Sequence, residues 1–472
     1  MKSMSARTIC LYVNGQLIKG SDRVRVNDAV YHLQKMGPNK LLFLKQKWQI
    51  DWEKIAQSVP CVVVTDTDFA ELEQIENCTI IKVKNINHAF WGFVNFYRNH
   101  FSIPVVAVTG TNGKTTTKDM ILHILSFDRT VTGTTKSANS RTHHLTYLLS
   151  IDKDTDAAVF ESAVGAPGDV LLASRYYRPT IGIITNIGVY HLDGCKTPEA
   201  YVLAKAEMVQ AVGSKGTIIV NADDENTKKI GLKRFKGVVH TFGITNRADF
   251  RATKIEYGTN GMHFELKVRN KKKFPFSGKK KYSVFVPGYG HHQVLNALAA
   301  LAAVHEIGVD INEAIKRLRS FKNLPAHLET CPGKGGFTIL DDTWSSTPSS
   351  LKAAFQTLNG ISRGKKRIAL VGDIKRLGDF SQEYHRQTGE MIAKNGVDVL
   401  ITVGSKAAEI AKQAKRKGLK GDVYMFPTIH GVEALLKRIL DKNSILLIKS
   451  SSTNDEIVKL KSKLKLRPDK NK

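Results

Sequence analysis

The chain has 472 residues, 42% of them hydrophobic, which allows about three domains with buried cores, and it carries no apolar run of membrane-spanning length. Lysine and arginine number 71 against 43 aspartates and glutamates, a formal net charge of +28, but the lysines are dispersed and do not alternate with aromatic residues, so the charge reads as solvated surface and not as a nucleic-acid face. The five cysteines at 10, 61, 78, 195 and 331 are odd in number and lack metal-ligand spacing, and no signal-type apolar segment follows the basic N-terminus; a cytoplasmic monomer with free thiols is expected.

Residues 1 to about 100 read as a small α/β unit with short strands at 10–13 (C-L-Y-V), 41–44 (L-L-F-L) and 61–66 (C-V-V-V-T-D), and with no chemical motif. From 101 to about 323, apolar strands at 105–110, 157–161, 181–187 and 217–224 alternate with helical patterns, which predicts a doubly wound, mostly parallel sheet. Alternation from 250 to 287 around Gly258 and Gly261 predicts antiparallel hairpins. F-P-F-S-G at 274–278, between two lysine runs, is expected to be an exposed turn. A helix follows from His292. Residues 324–472 start a second α/β domain, with strands at 337–342, 367–373, 398–404, 422–426 and 444–449 and a frayed basic tail.

The segment V-V-A-V-T-G-T-N-G-K-T-T-T-K at 105–118 is the most informative. A β-branched run ends in a glycine turn, and Met120, Ile121, Ile124 and Leu125 follow at helical spacing, which reads as strand, phosphate-binding loop and helix. Gly110 and Gly113, with Thr111 and Asn112 between them, let backbone N–H groups turn towards phosphate oxygens. Lys114 reaches the outer phosphates, the Thr115 hydroxyl suits Mg²⁺, and Thr116 continues the helix start. Val108 occupies the position of the usual first glycine. Glu161 and His191 each end or follow an apolar strand, where the ligand crevice of a parallel sheet opens. Lys205 lies in the helical pattern P-E-A-Y-V-L-A-K-A-E, and composition alone reads it as a surface lysine. Asp341 and Asp342 are adjacent on a strand, so at most one of them faces a given ligand. Asp373 and His385 are weaker signals, with His385 the one candidate for a general base.

Taken together these segments resemble the Mur ligases, the ATP-dependent amide ligases of peptidoglycan synthesis, from about 104 to about 450. G-T-N-G-K-T-T matches that family's shortened loop, and T-N-I-G-V-Y-H-L-D-G followed by A-K-A-E is the most specific match. The resemblance implies three domains: a divergent substrate domain at 1–100, a central doubly wound P-loop ATPase domain at 101–323, and a Rossmann-like ligase domain at 324–472. It implies ATP and Mg²⁺, with Glu161, His191 and a carbamylated Lys205 as metal ligands beside Thr115. It implies His292 and Asn296 near adenine, Asp342 at ribose, and V-G-D-I-K-R-L-G-D-F-S-Q-E-Y-H as a segment closing over the site. The reaction implied joins a small-molecule acid to an amine through an acyl phosphate.

The chain also departs from the family. G-R-L-E reads Ala326-His327-Leu328-Glu329, so an arginine expected at nucleotide phosphate is a histidine. D-S-Y-N-A-N-P reads D-T-W-S-S-T-P, K-G-S-R-S reads Lys449-Ser450-Ser451-Ser452-Thr453, and the N-terminal D-S-R-type segment is absent. Retained ATP chemistry with an altered acceptor substrate is expected; the alternatives are the family's peptidoglycan-precursor ligation with its usual substrates and a catalytically impaired ATP-binding homologue. Folylpolyglutamate synthases share the loop but typically read G-K-G-S where this chain has Gly113-Lys114-Thr115-Thr116.

Overall fold

The computed structural model describes residues 1–46, 49–269 and 280–466; the turn expected at 274–278 and the end of the tail lie outside them. The chain divides into two compact units. One comprises Met1–Ala107, Asp128–Ala163 and Leu171–Ile181, the other Val108–Phe127, Val164–Val170 and Gly182–Lys472.

In the first unit the strands Asp28–Val30, Lys40–Leu44, Cys61–Thr65 and Cys78–Lys82 run parallel in that order, and Gln16–Lys19 closes the edge antiparallel. The strand expected at 10–13 is instead the end of the helix Ala6–Tyr12. Ser5 caps that helix by accepting from the Thr8 N–H, and the buried residues Ala6, Ile9 and Val13 follow a helical spacing. The apolar run C-L-Y-V has β-type residues, but the N-cap and the period decide against a strand. Helix Ile86–Asn99 buries Phe90, Phe93, Val94 and Tyr97 in the same core. Its Arg98 guanidinium donates to the carbonyls of Tyr177 and Phe101.

The nine-stranded sheet has the order Lys280–Pro287, Gly261–Val268, Phe250–Tyr257, Val238–Gly243, Thr217–Asn221, Ile181–Ile184, Val105–Thr109, Ala157–Glu161, Val131–Gly133. The order reverses at Val105–Thr109, a topological switch point of the kind at which doubly wound sheets bind ligands. The three strands between 250 and 287 pair antiparallel, as the alternation predicts. In the second unit helix Lys114–Leu125 buries Met120, Ile121, Ile124 and Leu125 and packs on helix His291–Glu306. A run of buried alanines in the latter, from Ala297 to Ala303, permits the close approach.

The C-terminal sheet runs Glu329–Pro332, Thr338–Asp342, Ser444–Lys449, Lys366–Gly372, Val399–Val403, Asp422–Phe426. It is parallel except for its first pair. All five strands expected from the sequence are present; the edge strand Glu329–Pro332 is additional. Helix Pro348–Ile361 starts at a capping box on Thr347 and buries Leu351, Phe355 and Leu358 against Leu340, Ala369 and Leu447. Among the described residues no helix is long and apolar enough to cross a membrane. Phe355→Ala should destabilise the C-terminal domain by about 3–5 kcal/mol, read as a shift of its urea midpoint.

Candidate active site

The phosphate loop is shaped by one neighbouring turn. The Thr111 N–H donates to the Asn186 carbonyl at 2.9 Å, and the Asn112 N–H to Asn186 Oδ1 at 3.1 Å. Thr185 Oγ1 and Asn186 Nδ2 both donate to the Asn112 carbonyl, at 2.6 and 2.9 Å. The Gly188 N–H donates back to Thr111 Oγ1 at 2.8 Å. Gly110 and Gly113 have φ of +145° and +79°. A Cβ at Gly110 would collide with Thr185 Oγ1, and one at Gly113 with Asn296 Oδ1, so only glycine fits at either position. The helix then begins at Lys114, with its first internal bond from the Thr117 N–H to the Gly113 carbonyl at 2.9 Å. The amides before Thr117 therefore point out of the helix start, which favours phosphate there. Lys114 Nζ lies over the loop and donates to the Thr111 carbonyl at 3.2 Å.

The turn at 185–188 is itself anchored from the end of strand Thr217–Asn221. Asn221 Nδ2 donates to the Thr185 carbonyl, the Asp224 carboxylate accepts the Ile187 N–H at 2.6 Å, and Asn226 Nδ2 donates to the Ile187 carbonyl. None of these residues was singled out from the sequence; their signal was N-A-D-D-E-N at a strand end, a cluster that suits backbone capping.

Lys205 is not a surface lysine. It is 1% exposed on helix Pro198–Ala211, with Nζ 3.4 Å from Thr109 Oγ1 and 5.0 Å from the Tyr201 ring centroid. Thr109 is the residue just before the loop, so Lys205 lies close to the start of the loop. His191 sits in the left-handed region at φ +53° and starts the short helix Leu192–Cys195. Burial, and then Arg376, Lys205 and Lys114, push its imidazole down to about 4. Arg376 Nη1 lies 3.1 Å from His191 Nδ1. A guanidinium only donates, so Nδ1 accepts and the single proton of the neutral ring rests on Nε2.

In the first unit, Glu161 ends its strand buried. Its carboxylate accepts from Asn139 Nδ2 at 2.7 Å, and its N–H donates to Thr134 Oγ1.

The C-terminal domain meets the loop directly. Asn112 Nδ2 donates to Thr347 Oγ1 at 3.1 Å and to Ser349 Oγ at 2.8 Å. Thr347 stands where the family pattern has the second asparagine of D-S-Y-N-A-N-P. Asp342 is buried and paired with Lys449 at 2.6 Å; burial raises its carboxyl while Lys449 opposes the shift. Asp341 points the other way, to Lys461 and Lys465, as adjacent strand positions require. His327, in place of the arginine, donates through Nδ1 to the Pro325 carbonyl and stacks on Trp344 at 5.4 Å. Burial lowers its pKa, so no cation replaces the arginine at that position.

On helix His291–Glu306, Asn296 faces the loop, with Oδ1 3.5 Å from Thr117 Oγ1. His292 Nδ1 is buried without a hydrogen-bond partner, which suits a bound polar ligand. His385, the candidate base, is committed to backbone. Its Nδ1 donates to the Ser381 carbonyl at 2.6 Å, and its Nε2 accepts the Ile374 N–H at 3.2 Å. Neither nitrogen remains to take a proton from an amine. Asp373 likewise caps the Ala407 N–H.

Residues 108–304 match the Mur ligase middle domain and residues 328–452 the Mur ligase glutamate ligase domain. The chain belongs to the Mur ligase family. It has that family's three-domain architecture, and it is an ATP-dependent carbon–nitrogen ligase. It is 29% identical over 387 residues to the UDP-N-acetylmuramoyl-tripeptide–D-alanyl-D-alanine ligase of Bacillus subtilis, covering 81% of each chain. It is 25% identical to the enzyme of the same name from Haemophilus influenzae, over 98% of this ligase and all of that one. The crystal structure of MurF from Acinetobacter baumannii superposes with a TM-score of 0.81 at 23% identity, over 98% of this chain and 99% of that one. The MurF ligase of Thermotoga maritima in complex with ADP gives 0.75 at 21% identity, over 92% and 96%.

The position of His292 gives a prediction. Burial, and then Lys449 and neighbouring histidines, lower its pKa to about 4, whereas an unfolded histidine titrates near 6.5. Its stability contribution is therefore complete above about pH 6.5 and is lost as pH falls towards 4, because only the unfolded chain takes up the proton in that window. Urea unfolding of His292→Gln should show a shallower loss of stability between pH 6.5 and 4 than the parent.

Proposed function

We propose that this ligase transfers the γ-phosphoryl group of ATP to a substrate carboxylate and joins the resulting acyl phosphate to an amino acid or dipeptide amine. The single observation that carries this reading is the phosphate loop at 110–116, locked to the 185–188 turn, with the buried Lys205 against the residue that precedes it. The domain limits proposed are 1–100, 101–323 and 324–472, and the place of action is the cytoplasm. The acid proposed is a UDP-linked peptidoglycan precursor like those named for the relatives, with a selectivity altered by the changes at 327, 345, 347 and 452.

The loop amides and Lys114 grip the β- and γ-phosphates. His292 and Asn296 lie on the helix assigned to adenine, and Asp342, held by Lys449, is assigned to ribose. A carboxylate oxygen of the acid attacks the γ-phosphorus, and the bond to the β-bridging oxygen breaks to release ADP. The amine nitrogen then attacks the acyl carbon, loses a proton, and inorganic phosphate leaves.

Mg²⁺ fits the donor chemistry present. In the second unit Thr115 offers a hydroxyl and Lys205, once carbamylated, two anionic oxygens; Glu161 is proposed as a ligand on the family resemblance alone. Among the described residues no three His, Cys, Asp or Glu side chains converge on one point, so phosphate oxygens and water would complete the shell. The ion supplies charge neutralisation at the transferring phosphoryl group. His191 would be a further ligand of that set, and its Nδ1 is held by Arg376 in this structure.

Carbamylation would turn the buried Lys205 from a cation into an anionic ligand, a change that arginine cannot undergo. Lys205→Arg should therefore lose ADP formation about as completely as Lys205→Ala, while both variants still bind ATP. Parent-like turnover in Lys205→Arg would remove the carbamate. Lys114→Ala should abolish ATP turnover with the fold intact, as judged by circular dichroism.

Phosphate release with paired acids and amines tests the substrate. The altered N-terminal segment and the lost arginine at 452 predict weak use of UDP-MurNAc-tripeptide with D-Ala-D-Ala. Saturable ligation of that pair at low substrate concentration would assign the relatives' own reaction to this chain.

A further inference from the structure

Arg376 has no counterpart in the roles assigned above, and three observations single it out. Its guanidinium touches His191, and among the described residues no carboxylate lies within ion-pair distance of it. Its backbone is in the left-handed region at φ +61°, a conformation disfavoured for a non-glycine residue and concentrated at functional sites. The surroundings enforce that conformation: the Leu192 N–H donates to the Arg376 carbonyl at 3.0 Å, and Gly378 packs against the Leu192 carbonyl closely enough that a Cβ there would lie at 3.2 Å. The same turn that presents His191 therefore fixes Arg376, and the two belong to different domains of the ligase.

The charge balance also points to an anion. Arg376, Lys205 and Lys114 all bear on His191 electrostatically, with Asp193 the opposing charge. An anion arriving at this ring would meet all three cationic groups. The position where the family pattern has a phosphate-contacting arginine holds His327, which is stacked on Trp344 and hydrogen-bonded to backbone. The chain thus lacks a guanidinium at one place and presents an unpaired one at another.

We infer that Arg376 is a further catalytic residue of this ligase, a guanidinium carried in by the C-terminal domain that binds the γ-phosphoryl oxygens during transfer. A planar fork of donors matches phosphoryl oxygens bidentately, and a donor aimed at charge that develops in transfer lowers the barrier more than it tightens ground-state binding. In the structure Arg376 rests on His191 Nδ1; when the phosphoryl group arrives, the guanidinium transfers to it and His191 is released. The inference rests on the phosphoryl-transfer reading above.

The test uses the full-length ligase with Mg²⁺ and measures binding of ADP alone and of ADP with fluoroaluminate, which imitates the phosphoryl group in flight. The parent should bind ADP about tenfold or more tighter when fluoroaluminate is present. Arg376→Asn, chosen because asparagine tolerates the left-handed backbone, should bind ADP as the parent does and lose most of that gain, with an unchanged melting temperature. Arg376→Lys should recover part of it, because charge returns without the fork. An Arg376→Asn protein that keeps the full fluoroaluminate gain would overturn the inference, as would a parent that binds ADP yet gains nothing from fluoroaluminate. A parent that fails to bind ADP at all would instead bring down the phosphate-loop reading.

Discussion

The turn at residues 185–188 determines the shape of the phosphate loop. Both polar groups of the Asn186 amide, its backbone carbonyl and the Thr185 hydroxyl are committed to Thr111 and Asn112. That leaves the helix-start amides beyond Gly113 as the ones directed at a ligand. Because Asn221, Asp224 and Asn226 hold the turn from below, the loop's geometry is set before any nucleotide arrives. Preorganised donors of this kind need no rearrangement when charge develops on a phosphate. The same turn continues into His191, so the chemical centre and the phosphate cradle share one backbone origin.

Around that origin the structure collects buried cations. Lys205 and Lys449 are each 1% exposed, which a lysine tolerates only with close partners. Lys449 has Asp342 at 2.6 Å, and removing either partner would leave an uncompensated charge in the C-terminal core. Lys205 lies beside the Tyr201 ring and the Thr109 hydroxyl. The net charge of +28 is a separate matter: dispersed lysines affect solubility and encounter with anionic substrates.

Much of the fold was legible because parallel strands buried on both faces are written as unbroken β-branched runs, as in V-V-A-V at 105–108 and I-A-L-V at 368–371. The helix at Ala6–Tyr12 was misread because a four-residue apolar run carries no reliable period, and the Ser5 cap that decides it lies outside the run. In the candidate site, some residues announce themselves locally: the glycines and Lys114 by spacing, Glu161 and His191 by their place after strands. Residues whose meaning is long-range were not. Asn186, Asp224 and Arg376 look like ordinary loop residues until the fold brings their partners to them. His385 failed for the converse reason, since its sequence context suggested chemistry and its backbone partners leave it none.

Thr347 joins two tasks that are usually separate. It caps the helix Pro348–Ile361, whose Phe355 anchors the C-terminal core, and its hydroxyl also receives the Asn112 amide of the phosphate loop. A hydroxyl does both because its oxygen has two lone pairs, one for the Ser350 N–H and one for the Asn112 amide. Movement of the loop is therefore felt at the first turn of a core helix one domain away, through the hydroxyls of Thr347 and Ser349. The stability of that helix and the posture of the nucleotide loop are thus not independent variables in this chain: whatever alters one at residue 347 alters the other, and the position admits only side chains short enough to cap and polar enough to bridge.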